Sequence, residues 1–254
     1  MKKLLTLLAA TWLTGCANIA DAGALLDVTV INRSSGERMT TYRHGGRLYV
    51  AGTPGDRYAV ELRNRSGARV LAVLSVDGVN AVTGQTAAPR QSGYVLDAGS
   101  RAEISGWRKS MEDVAAFYFT ALPDSYAART DRPDHVGVIG VAVFRERVEP
   151  RVEEQPPALA KSETLGAARA APAAPAAAQE SKSAALADRL GTGHGERIAE
   201  GTRYTDFRRD STRPIETVTI YYDSYRNLVA RGVVPSPSRL PQPFPGGFVP
   251  DPRG

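Results

Sequence analysis

From residue 24 to residue 148 the apolar side chains either alternate with polar ones or come in short unbroken runs, and no long stretch carries the three-four spacing of an amphipathic helix. Leu26, Val28 and Val30 alternate with Asp27 and Thr29, and Tyr58, Val60 and Leu62 alternate with Ala59, Glu61 and Arg63. That period of two puts one face of each strand on a core and the other toward water. The runs 70–76 (VLAVLSV) and 136–144 (VGVIGVAVF) are apolar on both faces, which predicts central strands buried beneath a second layer. Shorter strands are expected at 48–50, 94–96, 102–104 and 114–120, with turn chemistry between the runs at Asp77-Gly78, Asp97-Ala98-Gly99 and Pro123-Asp124. Ser110, three residues before Asp113, is expected to cap a single helical turn. Many short strands with no long helix bury their apolar faces by stacking sheets. The expected fold is therefore mainly β: an antiparallel β-sandwich, immunoglobulin-like or jelly-roll-like, and not a βαβ fold.

Proline sets the limits of this block. Of 17 prolines, twelve fall in residues 149–185 and 235–254. The first stretch, rich in alanine and charge, is expected to be a flexible linker, and the second a disordered or extended tail. A helix over the alanine run 167–178 would be broken by Pro172 and Pro175. Between the two stretches lies a segment, 186–234, that is too small to be comfortable alone and should dock on the sandwich as a small α+β piece. Its expected parts are a short helix ending near Leu190, a glycine-rich loop at Gly191-Thr192-Gly193-His194-Gly195, and a strand over 216–222 suited to extending a sheet edge. A turn or short helix over 224–231, closed by Gly232, would complete it.

The amino-terminal residues point outside the cell. Lys2 and Lys3 precede an apolar run of ten residues, 4–13, which is the length of a signal-peptide core; a membrane span needs about 20. The run ends in Leu13-Thr14-Gly15-Cys16, and here the sequence resembles the bacterial lipoproteins, whose lipobox is a leucine, two small residues and a cysteine. The resemblance implies that residues 1–15 are a cleaved signal peptide, that the Cys16 thiol accepts a diacylglyceryl group, and that the new amino terminus is acylated. Residues 16–23 would then be a lipidated tether. Three acyl chains on one residue hold a protein durably to a bilayer, where one chain binds only reversibly. Ala17 stands where an aspartate would retain such a protein in the inner membrane, so the resemblance implies a periplasm-facing protein anchored to the outer membrane.

A second resemblance covers the body of the chain. Asp77-Gly78 with Gly84, Gly93-Tyr94, Gly106-Trp107-Arg108-Lys109-Ser110, Ser125-Tyr126-Ala127, residues 190–196 (LGTGHGE) and residues 222–228 (YDSYRNL) look like a family of uncharacterised exported proteobacterial proteins. That likeness brings no activity and no functional residues. It implies that the blocks on either side of the linker belong together.

The single cysteine excludes a disulfide scaffold and a cysteine-ligated zinc site, and the apolar content excludes a multi-span membrane protein. His44, His135 and His194 lie at loops or strand edges with no HxxxH or HxH spacing, so no metal site is expected. No cofactor is implied, and no G-x-S-x-G elbow, P-loop or S-x-x-K motif is present. Ser125, Asp131, Asp134 and His135 hold the residue types of a hydrolase, but triads are made by geometry and not by closeness in sequence. The glycines at 191–195 would let a backbone approach an anion, or serve merely as a flexible connection.

Charge is concentrated. Residues 33–69 hold eight arginines against three acids, while the remainder of the mature chain is slightly acidic. In an exported protein such a field draws anionic envelope partners rather than nucleic acid. Arg63 and Arg65, sharing a strand face, together with Arg47, are the candidate anion-binding residues. A solvated outer face whose charges prevent edge pairing is the plainer alternative. Tyr221, Tyr222 and Tyr225 beside Asp223 and Arg226, or Trp107, would suit a sugar; ordinary strand packing explains the same rings. The expectation is a non-enzymatic, membrane-anchored interaction or structural module with an envelope protein or anionic glycan as partner. Its alternatives are a hydrolase of envelope polymers using Asp134 and His135, and a carbohydrate- or peptidoglycan-binding module.

Overall fold

The computed structural model describes residues 23–148 and 189–235. The expected signal peptide 1–15, Cys16 and the expected tether as far as residue 22, the expected linker 149–185 with residues 186–188, and the expected tail from residue 236 lie outside the described residues. The described chain folds as a β-sandwich of two sheets with one short helix.

The first sheet contains β1 (Leu26–Asn32), β4 (Arg57–Asn64), β10 (Asp113–Ala121) and β12 (Leu190–Ala199) in that order. Two short strands complete it: β8 (Arg101–Ile104) beside β4 and β9 (Gly106–Arg108) beside β10. The second runs β2 (Thr41–His44), β3 (Arg47–Gly52), β13 (Glu216–Ser224), β11 (Val138–Arg145), β5 (Val70–Val76) and β6 (Val79–Asn80), with β7 (Tyr94–Leu96) also on β5. All pairings are antiparallel except β3 with β13, which is parallel. The helix α1 (Tyr225–Ala230) follows β13, and three short 3-10 turns link β10 to β11.

The period-two pattern places the core. Leu26, Val28, Val30, Tyr58, Val60, Leu62, Phe117 and Phe119 of the first sheet pack against Val50, Val218, Ile220, Tyr222, Ile139, Val141 and Val143 of the second. The strands that are apolar on both faces sit where expected, at the centre of the second sheet. Leu71, Val73, Ala142 and Phe144 form a separate cluster on its outer face with Val95 and Phe207. Phe207 belongs to the connection 200–215, which leaves β12 in one sheet and reaches β13 in the other. Further along the same face α1 covers Tyr49 with Leu228, Val233 and Val234. Ser224 caps this helix by accepting from the Asn227 N–H at 3.2 Å, and Gly232 closes it at φ +69°.

Three local expectations are corrected. The carboxy-terminal segment goes further than docking: it supplies a strand to each sheet, and β13 sits inside the second sheet between β3 and β11 instead of at an edge. Residues 190–199 are strand throughout and not a glycine loop; the stretch before residue 189, where a short helix is expected, lies outside the described residues. The glycines there serve close approach. A Cβ on Gly191 would lie 2.6 Å from Ser125 Cβ, and one on Gly193 would lie 2.2 Å from Tyr118 Cζ. Ser110 caps no helical turn: its hydroxyl accepts from the N–H groups of Glu112 and Asp113 in a tight bend, and β10 starts at once.

Candidate functional site

The connection 200–215 acts as a strap, pinned at both ends. At one end the Glu200 carboxylate accepts from the Ser105 N–H at 2.9 Å and from the Arg108 guanidinium at 2.8 Å, and Arg108 also donates to the Glu200 carbonyl. At the other end Arg209 lies 4.7 Å over the Phe144 ring and donates to the carbonyls of Arg90 at 2.8 Å and Gln91 at 2.5 Å. The stretch between is held by the Thr202 N–H donating to the Met111 carbonyl at 2.8 Å and by Arg69 donating to Thr205 Oγ1 at 3.2 Å and to the Asp206 carbonyl at 3.1 Å. It closes one side of a groove of about 1230 Å³ whose other walls are residues 90–95 and the turn at 108–111.

The groove is cationic, with Arg69, Arg90, Arg108, Lys109, Arg203 and Arg209 in its lining against Asp97. Acids elsewhere neutralise some of these: Glu146 pairs with Arg69 at 2.7 Å and Glu200 with Arg108 at 2.8 Å. Arg90, Lys109 and Arg203 are exposed and have no carboxylate partner among the described residues. Tyr94 forms part of the wall, with Arg108 lying 6.0 Å over its ring. Burial raises the Tyr94 hydroxyl's pKa, with the Arg108 charge opposing. Tyr204 is 91% exposed on the strap. Of the four buried side-chain polar atoms that lack a hydrogen-bond partner among the described residues, three belong to this lining: Tyr94 Oη, Arg108 Nε and Arg209 Nε. Native interiors hold few such atoms, so their concentration marks the groove as unlike the rest of the fold.

A second polar cluster is sealed inside. Asp77, at the β5–β6 turn with φ +52°, is fully buried. Its carboxylate accepts from the N–H groups of Thr192 at 2.8 Å, Gly137 at 2.9 Å and Val138 at 3.4 Å, and from the Tyr222 hydroxyl at 2.5 Å. Tyr222 and Tyr58 each lie 2.6 Å from Thr192 Oγ1. Each hydroxyl has one proton, and that of Tyr222 is committed to Asp77. Thr192 therefore donates to Tyr222, and Tyr58 donates to Thr192. The chain Tyr58–Thr192–Tyr222–Asp77 runs from the first sheet to the second and staples them. Burial pushes the Asp77 carboxyl up to about 6, with the four donors opposing. Both tyrosines are held well above their ordinary range by burial and by Asp77.

The residues singled out in the sequence are dispersed. Arg63 is exposed on β4 in the first sheet, with Arg101 and Asp27 as its cross-strand neighbours; Arg65 is exposed just beyond that strand. Arg47 lies in the second sheet, 5.7 Å over the Tyr221 ring. The structure does not bring the three together. Much of the local arginine excess is matched by acids from other segments: Arg33 by Glu103, Arg57 by Glu196 at 2.7 Å, Arg69 by Glu146; within the segment Arg38 pairs with Glu61 at 2.5 Å.

The hydrolase residues do not meet either. Ser125 is buried, its hydroxyl donating to the Leu122 carbonyl and accepting from the Ala128 N–H. His135 is exposed and, with Asp134, borders a smaller cleft of about 340 Å³. Its ring hydrogen-bonds to none of the described residues, and Asp131 is an exposed left-handed turn residue. Trp107 is 2% exposed and packs in the core against Phe117 and Tyr126. The tyrosines divide: Tyr222 points into the staple, Tyr221 outward against Tyr49, and Tyr225 into solvent. No group of three or more His, Cys, Asp or Glu placed to hold a metal ion occurs among the described residues.

Sequence reasoning missed the groove because its walls come from four distant stretches. A partial signal was present: Gly93-Tyr94 and Arg108-Lys109-Ser110, two of the segments carrying the second resemblance, line it. Asp77, Thr192 and Tyr222, from three other such segments, form the staple. Compared with protein-family models, curated proteins and solved structures, the chain finds no match.

Proposed function

We propose that this chain is a lipid-anchored protein of the outer membrane, facing the periplasm, that acts by binding an anionic envelope partner and not by catalysis. The anchor stands on the sequence 13–16 and its resemblance to a lipobox. The binding half is carried by one observation: a cationic groove in which Arg90, Lys109 and Arg203 face solvent with no carboxylate partner among the described residues. On the first sheet, by comparison, Glu103, Glu61 and Glu196 pair with Arg33, Arg38 and Arg57. The groove thus takes the place of Arg63, Arg65 and Arg47 as the anion-binding surface.

Two measurements in cells test the two halves. Cys16→Ala should move the protein from the membrane pellet to a soluble or unprocessed form; unchanged pelleting with normal processing refutes the anchor. A photoreactive residue at position 204 should give crosslinked adducts that the same residue at position 63 does not. Equal adducts from both positions, or none from 204, refute binding through the groove.

A further inference from the structure

We infer that the ligand of the groove is an acidic oligosaccharide. This rests on the binding reading above and names its ligand class. Size argues first: at about 1230 Å³ the groove exceeds the roughly 300–1,000 Å³ of pockets for single small molecules, so its ligand is several units long. The lining argues second. Between the cations stand Thr83, Ser92, Ser110, Thr202 and Thr205, neutral hydroxyls that both donate and accept, as the hydroxyls of a sugar do.

Tyr204 argues third. Its ring is 91% exposed and stabilises no core, yet it sits in the groove lining beside Arg203. A flat ring in that place offers a stacking face for the C–H side of a pyranose, while Arg203, Lys109 and Arg90 offer charge to its acidic groups. A compact inorganic anion would use a cation or two and leave the ring and hydroxyls idle. A folded protein partner would want a centre depleted in charge, where this lining carries six cations.

The test uses the full, lipid-bearing chain in detergent micelles. Its probes are an oligogalacturonate of six or more units, a neutral maltooligosaccharide of equal length, linear polyphosphate, and phosphatidylglycerol vesicles. The oligogalacturonate should bind, more weakly with added salt, and the neutral sugar should not. Lys109→Glu with Arg203→Glu should abolish that binding. Tyr204→Ala, at a fully exposed position, should weaken the sugar about five- to tenfold while leaving any polyphosphate binding unchanged. Polyphosphate binding as tight as the sugar's, with Tyr204→Ala affecting neither, overturns the glycan assignment and leaves an anion-binding groove. Binding to vesicles alone also overturns it, in favour of a lipid surface. No binding of any anion overturns it together with the binding reading, which absent crosslinks at position 204 would independently report.

Discussion

Removing one hydroxyl from the buried staple gives a pH-dependent loss of stability that can be worked out in advance. Tyr222→Phe keeps the ring that packs near Tyr58 and Phe119 and deletes the donor to Asp77 at 2.5 Å. The Asp77 carboxyl is pushed from 3.8 to about 6 by burial. A carboxyl whose folded pKa lies above its unfolded value stabilises most below the unfolded pKa and loses that contribution as pH rises through the folded one. For the native chain the loss falls between pH 4 and 6 and totals about 3 kcal/mol. Deleting a donor to the ionised form drives the folded pKa higher still, which deepens the loss at neutral pH. At pH 4 the deleted bond joins two neutral groups and costs about 1 kcal/mol; at pH 8 it serves a carboxylate and costs about 2–3 kcal/mol. A domain of this size moves roughly 2–4 °C per kcal/mol. Thermal unfolding followed by circular dichroism should therefore show Tyr222→Phe about 3 °C below the native protein at pH 4 and about 8 °C below at pH 8. The Tyr222 hydroxyl touches no other carboxylate among the described residues, so the growth of the gap isolates Asp77. A gap that is constant or narrows with pH refutes the assignment.

Two further substitutions, the first paired with a control at Gly67, test the packing of the second half of the chain. Gly191→Ala, whose Cβ would lie 2.6 Å from Ser125 Cβ and 2.7 Å from Val136 Cγ1, should cost about 1–3 kcal/mol in chemical denaturation, and Gly67→Ala, with nothing within 4 Å, should cost none; equal effects would count against close packing at β12. Arg209→Ala, which removes the contact with Phe144 and the two bonds to carbonyls 90 and 91, should speed amide exchange across residues 200–210 while β1 and β4 keep their protection; unchanged exchange in the strap would show that the bonds from Arg69 to Thr205 and Asp206 suffice to pin it.

The strands were legible wherever one residue's burial depended only on its neighbours in sequence. Tyr58, Val60 and Leu62 announce a strand because alternation is local, and the double-faced runs at 70–76 and 136–144 announce their cover for the same reason. Residues 190–199 announce nothing: glycine, threonine and histidine form a strand there because they pair with β10, and Tyr118, Ser125 and Val136, more than 50 residues away, leave no room for larger side chains. A local count of charge is incomplete for the same reason. A local count over 33–69 finds an arginine excess, but Glu103, Glu146 and Glu196, outside that window, meet Arg33, Arg69 and Arg57. Arg90, Lys109 and Arg203 come from three separate segments, so no window over the sequence collects them.

The groove follows from the demands of the sandwich. Strands β5 and β11 are apolar outward as well as inward, so the fold needs a cover over Leu71, Val73, Ala142 and Phe144. The chain must also cross from β12 in one sheet to β13 in the other, and the strap meets both needs, since Phe207 and Arg209 supply the cover as it passes. Those two residues occupy only its second half. Residues 201–206 are left exposed, fixed at one end by Glu200 and at the other by Arg209, with Arg69 reaching Thr205 and the Asp206 carbonyl between them. A segment held by a few exposed polar contacts contributes little to stability, and the Arg203 and Tyr204 side chains take no part in those contacts. Arg203 and Tyr204 stand in that segment, which explains why the residues best placed to bind are also those whose loss the sandwich should tolerate best.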